Sequence, residues 1–455
     1  MTARPHRLPP MAPGRLPLLG HAVPLLRDRL AFLQQLRHHG PAVRIAAGPR
    51  TLTVVNSHDL IHEMLTRQAD SFSKGFLFER LKLFGSDALP VAEGPRHLAR
   101  RRLLQPAFHR EQVHSYVATM RDTAQPLIGA WHDGQTLDLK TRMQLITQNT
   151  VMAVTLTARP GPAHARAVLD SVDTVFKAAL RRALLPLPLL ERLPTRRNRT
   201  TTTAQRVLRT TVTGIIAAHR AEPDAHHDVI SLLLAARDDN GAALSDDDIL
   251  SEVTGLLAAG SETTAVVLAW LFHTLAHHPR HEAALHTEVD TVLGEGPLTA
   301  AHLPRLNVTR RLITETLRLY SPAWLVTRHT LRPVHLGPAW LPAGTDIVFS
   351  PYTLHRDPHL YPDPLAFDPD RWLPDRPQPP KAAFIPFGAG KRQCMGDAFA
   401  MTEALVVTAL IASRWRLRPS PGTPVRPAGE ITVHPYGLHM TAHARTGPAV
   451  TRRTR

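Results

Sequence analysis

The sequence predicts a mainly α-helical protein with a small β portion, and three observations support this fold class. Helical periodicity is almost continuous from about residue 95 to residue 293. Short β-prone runs lie on either side of that region, and 43% of the 455 residues are hydrophobic, enough for a sizeable core. Length alone would allow two or three domains, but the chain has no internal repeat and no glycine/serine linker. We therefore expect a single domain over residues 1–455.

The first third of the chain combines strands, a helix and a long connection. Residues 43–47 and 51–55 are β-prone runs on either side of Gly48-Pro49-Arg50, which is typical of a hairpin, and a helix is predicted at about 59–68. Residues 70–93 mix aromatic side chains with glycines and charges. We expect a long, apolar and irregular connection there, of a kind that is commonly functional.

A single long helix is predicted in the middle of the chain. Ser245-Asp246-Asp247-Asp248 is typical of an N-cap and an acidic first turn, and the next helix break is Pro279. Such a helix would have about 30 residues and a length of roughly 45 Å, enough to cross the domain. The apolar, proline-broken residues 184–190 before it could touch a membrane or act as a lid, but a helix-to-helix turn is the simpler interpretation.

The last third mixes helices with short strands and tight turns. A helix is predicted at about 309–319, a turn at 342–344, a strand at 346–349 and a last helix at about 398–413. The β portion is therefore expected on both sides of the helical region.

Charge and cysteine content limit the class of protein. The formal net charge of +16 is scattered, so an acidic protein partner explains it better than nucleic acid does. One cysteine allows no disulfide within the chain and suits a reducing cytoplasm. Residues 1–30 are proline-rich, residues 445–455 form a basic tail, and no apolar run approaches the roughly 20 residues of a membrane span. We expect a soluble, cytoplasmic protein without a transmembrane segment.

The only cysteine lies in a glycine-rich loop, Phe387-Gly-Ala-Gly-Lys-Arg-Gln-Cys394-Met-Gly396, just before the last predicted helix. Glycines allow a backbone to approach a flat cofactor, and the amide donors of such a loop would lower the pKa of the thiol. A lone cysteine is ordinarily an inert core residue. Here the glycines and Arg392 favour a stabilised thiolate, which is the form that binds iron.

This loop resembles the cysteine loop of the cytochrome P450 family at its defining positions, Phe387, Gly390, Arg392, Cys394 and Gly396. The resemblance covers essentially the whole chain, because further motifs follow in the family's order. It implies the cytochrome P450 fold, with a long helix over haem b and with O2 as co-substrate. It also implies that Cys394 is the axial iron ligand, that Arg392 pairs with a haem propionate, and that Phe387 and Gly396 belong to the cofactor site.

A second motif, Ala259-Gly260-Ser261-Glu262-Thr263-Thr264, lies in the middle of the long helix. Its glycine and hydroxyl residues should weaken regular helix bonding; the alternative is a core helix whose hydroxyls bond to their own carbonyls. The motif resembles the family's oxygen-activating segment. That resemblance implies that Ala259 and Gly260 contact the cofactor and that Glu262 and Thr263 are an acid–alcohol pair. Cleavage of the O–O bond needs two protons, which such a pair can deliver.

A third motif predicts a structural network. Glu315 and Arg318 are spaced to share one helix face. With Arg371 they resemble the family's Glu-Arg-Arg triad, which implies a buried network behind the haem.

Further basic residues stand where the family places propionate partners: His97, Arg101, Arg328 and His355. Two buried carboxylates require such cations. Each residue taken separately is almost as well explained as a surface residue of an arginine-rich chain.

The residues expected to bind substrate are mostly apolar: Phe76, Phe78, Leu256, Ala259, Leu325, Val326 and Leu438. They favour a lipophilic substrate oxidised at a C–H bond, although each could equally belong to the core. The segments 17–21 and 434–438 resemble those of bacterial members that act in terpenoid and other secondary metabolism. A sesquiterpene-like hydrocarbon is therefore favoured, with fatty acids, macrolides and aromatic compounds as open alternatives.

The chain has no phosphate-binding loop and no motif placed to bind a flavin or nicotinamide, so electrons must come from a separate redox protein. Soluble members of the family usually take them from a ferredoxin and its reductase. An acidic ferredoxin would suit a basic surface that includes Lys391 and Arg101. We expect a monomer.

Other site classes have weaker support. The 27 histidines are dispersed without a zinc-binding pair, and Asp238-Asp239 and Asp246–Asp248 are explained by a polar turn and a helix start without invoking magnesium. A haem protein that does not activate oxygen and a peroxide-driven haem enzyme are the alternatives. The acid–alcohol pair Glu262 and Thr263 disfavours both.

Overall fold

A computed structural model describes residues 7–445 except 49, 82–87, 157–161, 185–192, 194, 223–227, 238–240, 295 and 423. Most of the proline-broken segment at 184–190, Asp238 and Asp239, part of the connection at 70–93, and all but the first residue of the basic tail therefore lie outside the described residues.

Helices form most of the described chain. They are α1 Ala22–Arg27, α2 Arg29–Leu36, α3 His58–Leu65, α4 Phe76–Leu81, α5 Gly94–Leu104, α6 Arg110–Ser115, α7 Val117–Gly129, α8 Leu139–Thr155, α9 Pro162–Leu184, α10 Arg196–Ala221, α11 Val229–Ala235, α12 Asp246–Ala276, α13 Pro279–Leu293, α14 Asn307–Leu319, α15 Pro351–Leu354 and α16 Asp397–Arg414.

The strands are short and form small sheets. They are β1 Ala42–Ala47, β2 Arg50–Val55, β3 Phe72–Ser73, β4 Gln135–Asp138, β5 Val326–Thr330, β6 Val334–Leu336, β7 Ala339–Leu341, β8 Asp346–Phe349, β9 Trp415–Pro419, β10 Arg426–Gly429, β11 Val433–Tyr436 and β12 His439–Ala444. The largest sheet has the order β1-β2-β8-β5-β3, and only the β2–β8 pairing in it is parallel. The others are β4-β12-β9, β10-β11 and β6-β7.

Helix α12 is the central element of the fold. Ser245 caps it in a capping box with Asp248, and Asp246 and Asp247 complete an acidic first turn that favours the helix dipole. The helix has 31 residues, and those from Ala265 to Leu275 are buried except His273. It packs against α8, α14 and α16 in the main hydrophobic cluster. The predicted long central helix is therefore confirmed.

By length and composition, α12 is also the one described helix that could cross a membrane. In the protein, 61% of its apolar window is buried, and core helices of soluble proteins pass the same test. Burial among the neighbouring helices accounts for its hydrophobicity.

Most other predicted elements are present. The hairpin is β1–β2, the helix predicted at 59–68 is α3, the strand at 346–349 is β8, and the last helix is α16. The prediction for 70–93 was wrong in part, because β3 and the short helix α4 lie within it. The pairing of β4 with β12 was also missed, since it joins segments about 300 residues apart and leaves no local sequence signal.

Candidate active site

The cysteine loop is a closed turn at the start of α16. The Cys394 amide donates to the Phe387 carbonyl at 2.8 Å, and the Gln393 amide donates to the Gly390 carbonyl at 3.0 Å. These bonds fix the backbone that leads into Cys394. The side chain of Cys394 is nevertheless exposed, so that a group can reach the sulfur.

The thiol does not have the lowered pKa that the sequence predicted. Although Cys394 is accessible, the protein atoms packed around its sulfur reduce the hydration of the thiolate, and this raises the pKa of the thiol more than the amide of Gly396 lowers it. The Gly396 amide thus lowers the pKa of the thiol, as expected, but its effect is smaller than the opposite effect of lost hydration. A bound cation would reverse the balance, because a metal ion deprotonates the thiol that coordinates it.

Gly390 has a different role from the one expected. Its φ is +70°, and a Cβ at this position would overlap the carbonyl oxygen of Leu65 at the end of α3. The glycine therefore lets the loop pack against α3. Gly388 also has a left-handed φ, of +73°, but the nearest atom to its Cβ position would be 4.0 Å away.

We expect Gly390→Ala to lower the free energy of unfolding by about 3 kcal/mol, because overlap with a backbone carbonyl adds to left-handed strain. Gly388→Ala is the matched control and should cost about 1 to 2 kcal/mol from strain alone. Urea unfolding of the haem-bound proteins measures both. If the two variants lose the same free energy of unfolding, the contact with Leu65 is not the reason for a glycine at position 390.

Basic side chains from three separate segments, α5, β5 and the cysteine loop, converge beside Cys394. Arg101 on α5 donates from Nη1 to the Gln393 carbonyl at 2.6 Å. Arg328 on β5 is 8% exposed, and His97 on α5 is 5% exposed. Arg392 pairs with Glu93, and its Nη1 is buried with no hydrogen-bond partner among the described residues. The structure thus brings together all the predicted basic residues except His355.

Lys74 belongs to the same group and was missed in the sequence. Its ammonium group donates to the carbonyls of Leu89 and Pro90, both at 2.7 Å, and the side chain is buried. A single lysine between Phe72 and Phe76, in an otherwise apolar run, was the signal that could have identified it. A lysine in such a position is seldom buried without a partner.

The pKa values of these groups are lowered first by burial and then by the positive charges of their neighbours. Burial, followed by the charge of Arg392, lowers the pKa of Lys74 to about 7. Burial and then the charges of Lys74 and Arg392 lower the pKa of His97 to about 3. Burial and Arg392 lower the pKa of Arg328 to about 10. The positive charge exceeds what nearby Glu93 compensates, so the site fits a ligand that carries carboxylates.

His355 lies elsewhere, in a fully buried position. Its Nε2 accepts a hydrogen bond from the Ile385 amide at 2.9 Å, and its carbonyl accepts one from Arg318 at 2.8 Å. Burial and the charges of Arg318 and Arg356 lower the pKa of His355 to about 3, so the ring is neutral. With Nε2 accepting, the ring proton is on Nδ1, which is buried and has no hydrogen-bond partner among the described residues. The assignment of His355 to the cofactor therefore stays a prediction.

Glu315, Arg318 and Arg371 form one network, as the sequence predicted. The Glu315 carboxylate accepts bonds from Arg318 at 2.7 and 2.9 Å, and both side chains are fully buried. Arg371 is 3.6 Å from the carboxylate, and Trp372 donates to it at 2.9 Å. Because Arg318 also donates to the carbonyls of Pro364 and Ala366, the network joins α14 to the segment before the cysteine loop.

The oxygen motif does not interrupt α12, which is helical throughout. Thr263 bonds to the Ala259 carbonyl of its own helix at 3.0 Å, which is the alternative considered for this segment. A Cβ at Gly260 would lie 3.0 Å from Val151, so this glycine allows close packing of α8. This packing explains the small residue at 260, while its assignment to the cofactor stays a prediction. Ala259 is exposed, whereas the other residues of α12 from 248 to 276 are buried or partly buried.

Glu262 is partly buried and faces the β10–β11 hairpin. Its carboxylate accepts a hydrogen bond from the hydroxyl of Thr432 at 2.9 Å. Thr432 is itself buried, and nothing in the local sequence pattern indicated the contact.

The predicted substrate residues are distributed over several environments. Phe76 and Leu325 are partly buried against the same core cluster, and Leu256 is partly buried on α12. The Phe78 ring lies 5.9 Å from the Lys74 ammonium, and Val326 begins β5. Leu438 is 3% exposed and packs in the main core, which is the alternative considered for these residues.

Comparisons with known proteins agree with this geometry. The family model "Cytochrome P450" matches residues 9–441. Pentalenene oxygenase of Streptomyces avermitilis is 39% identical over 438 residues, 96% of this chain and 97% of that protein. Cyclooctat-9-en-7-ol 5-monooxygenase of Streptomyces melanosporofaciens is 38% identical over 414 residues, 90% of each chain. The crystal structure of the cytochrome P450DA heme domain has a TM-score of 0.87, covering 97% of this chain and 98% of that one at 24% identity, and thus shares the fold.

Proposed function

Because this chain belongs to the cytochrome P450 family and is therefore a monooxygenase that uses haem iron and O2, we propose that it hydroxylates a C–H bond of a sesquiterpene-like hydrocarbon. The observation that carries the chemistry is the exposed Cys394 thiol beside buried basic side chains. The substrate class follows two relatives named for oxygenation of terpenoids, pentalenene and cyclooctat-9-en-7-ol.

The proposed cofactor is haem b, held by Cys394 at the iron and by Arg392, Arg328, His97, Arg101 and Lys74 at the propionates. Burial, and after it the charge of Arg392, lowers the pKa values of Lys74 and Arg328, and two carboxylates would offset the positive charge gathered there. A single cysteine cannot provide the two thioether links of a c-type haem, which supports a non-covalently held group. When bound, the haem would supply the iron that activates O2, and the Cys394 thiolate would donate electron density to that iron.

Glu262 and Thr263 are proposed to deliver protons during oxygen activation. Glu262 is only partly buried, so its carboxylate is close to the protein interior and can still exchange protons with solvent. The Thr263 hydroxyl accepts a proton and passes one on. The hydroxyl lies one helical turn from Ala259, which is exposed in the middle of α12.

Substrate is proposed to bind against Ala259, Leu256, Phe76, Leu325 and Val326. These side chains are apolar and partly accessible, which favours recognition by shape and excludes water from the reacting carbon. Phe78 contributes from α4. A hydrocarbon held in this way needs no charged partner.

Electrons are proposed to come from an acidic ferredoxin and its reductase. The chain carries a net charge of +16, and Lys391 and Arg101 lie on the side of the cysteine loop where a short electron path would begin. The single cysteine suits a reducing compartment, and we propose that the protein is a cytoplasmic monomer.

Thr263→Ala should retain haem and substrate binding but release a larger share of the consumed electrons as hydrogen peroxide, by about tenfold, because the hydroxyl step is lost. Thr254→Ala is the control. Thr254 lies on the same helix and makes the same kind of bond, to the Leu250 carbonyl at 2.8 Å. Product and peroxide formed per NADPH oxidised are the measured quantities. Unchanged coupling in Thr263→Ala would remove Thr263 from the mechanism.

The substrate proposal is tested with cyclic sesquiterpene hydrocarbons, fatty acids, macrolides and aromatic compounds under 18O2. A hydrocarbon substrate should shift the Soret band on binding and give a product that contains one 18O atom. A product that is only isomerised or dehydrated, or labelled product from the other compound classes alone, would contradict the proposal.

A further inference from the structure

The carboxylate of Glu262 is held by a residue that is distant from it in sequence. Thr432 lies in the turn between β10 and β11, 170 positions away, and its hydroxyl donates to Oε1 of Glu262 at 2.9 Å. The threonine is only 3% exposed. A buried hydroxyl that donates to a partly buried carboxylate restricts the rotamers of that carboxylate.

Two indole groups fix the turn that carries Thr432. Trp270 on α12 donates to the Val433 carbonyl at 2.8 Å, and Trp324 donates to the Glu430 carbonyl at 2.9 Å. The Trp270 ring is itself stacked on Tyr320 with centroids 3.9 Å apart. Because both sides of the turn are anchored and Trp270 belongs to the same helix as Glu262, the position of the Thr432 hydroxyl is fixed relative to the carboxylate.

We propose that Thr432 is a positioning residue for proton delivery, which acts by holding the Glu262 carboxylate in the orientation that serves Thr263. The inference rests on the proposed role of Glu262. It assigns a task in catalysis to the β10–β11 turn, which makes no contact with Cys394 in the described structure. The oxygen motif alone gives no indication of this task.

The primary test compares Thr432→Val, which keeps the shape of the side chain, with Thr432→Ser, which keeps the hydroxyl. In Thr432→Val we expect the turnover rate at saturating substrate to fall about tenfold, the factor associated with one charge-assisted hydrogen bond. KM and the spectral Kd for substrate should be unchanged, and the solvent deuterium isotope effect on turnover should rise. Thr432→Ser should restore the wild-type turnover rate and the wild-type solvent isotope effect.

Thr309→Val is the matched control. Thr309 is fully buried and donates to the Glu288 carboxylate at 2.7 Å, in a bond of the same kind away from the proposed site. This variant should become less stable to heat but keep wild-type turnover. Should Thr432→Val fail to accumulate, Thr432→Ala serves in its place, because it adds no bulk to the turn.

A double-mutant cycle with Glu262→Gln separates the inference from the proposal beneath it. Wild-type turnover in Glu262→Gln would refute the role of Glu262 and the inference with it. Slow turnover in Glu262→Gln with wild-type turnover in Thr432→Val would refute the inference alone. If Thr432 acts through Glu262, the double variant should turn over no more slowly than Glu262→Gln, whereas multiplied losses would show an independent role.

The same four proteins give a readout that does not depend on activity. Urea unfolding should show that the effects of Glu262→Gln and Thr432→Val on stability are not additive, because each variant alters the same bond. Additive effects would show that the two side chains do not interact in the protein and would overturn the inference.

Discussion

The concentration of positive charge beside Cys394 is the constraint on which the rest of the site depends. Lys74, Arg328 and Arg392 come from segments far apart in sequence, and the fold buries them together with Glu93 as the neighbouring carboxylate. Like charges in a poorly solvated place destabilise the fold unless counter-charges enter. Haem propionates would supply these charges, so cofactor binding and folding stability are expected to be coupled.

Local patterns were enough to predict the parts of the protein that local chemistry determines. Ser245 and the three aspartates after it mark the start of α12, because capping and the helix dipole act within one turn. The cysteine loop was recognised from ten consecutive residues. Glu315 and Arg318 could be paired because a spacing of three places them on one helix face, and the structure shows that the pair is buried.

Contacts between distant segments account for what sequence reasoning missed. The small size of Gly260 serves the approach of Val151 from α8, which the motif did not indicate. Nothing in the sequence indicated that Nε2 of His355 accepts a hydrogen bond from the Ile385 amide, which leaves Nδ1 as the nitrogen available to another group. Lys74 acquires its partners only when its loop packs against the carbonyls of Leu89 and Pro90, and Thr432 only when the β10–β11 turn packs against α12. The spacing of residues along one element carries no information about such partners.

The central claim is that Cys394 ligates haem iron as a thiolate, and the absorption spectrum of the reduced protein under carbon monoxide tests it most directly. The Soret position reports the ligand opposite carbon monoxide. We predict the strongly red-shifted band of a thiolate-ligated haem in the wild-type protein and its loss in Cys394→Ala. A band at the ordinary haem-imidazole position, or a protein without a haem band, would contradict the claim.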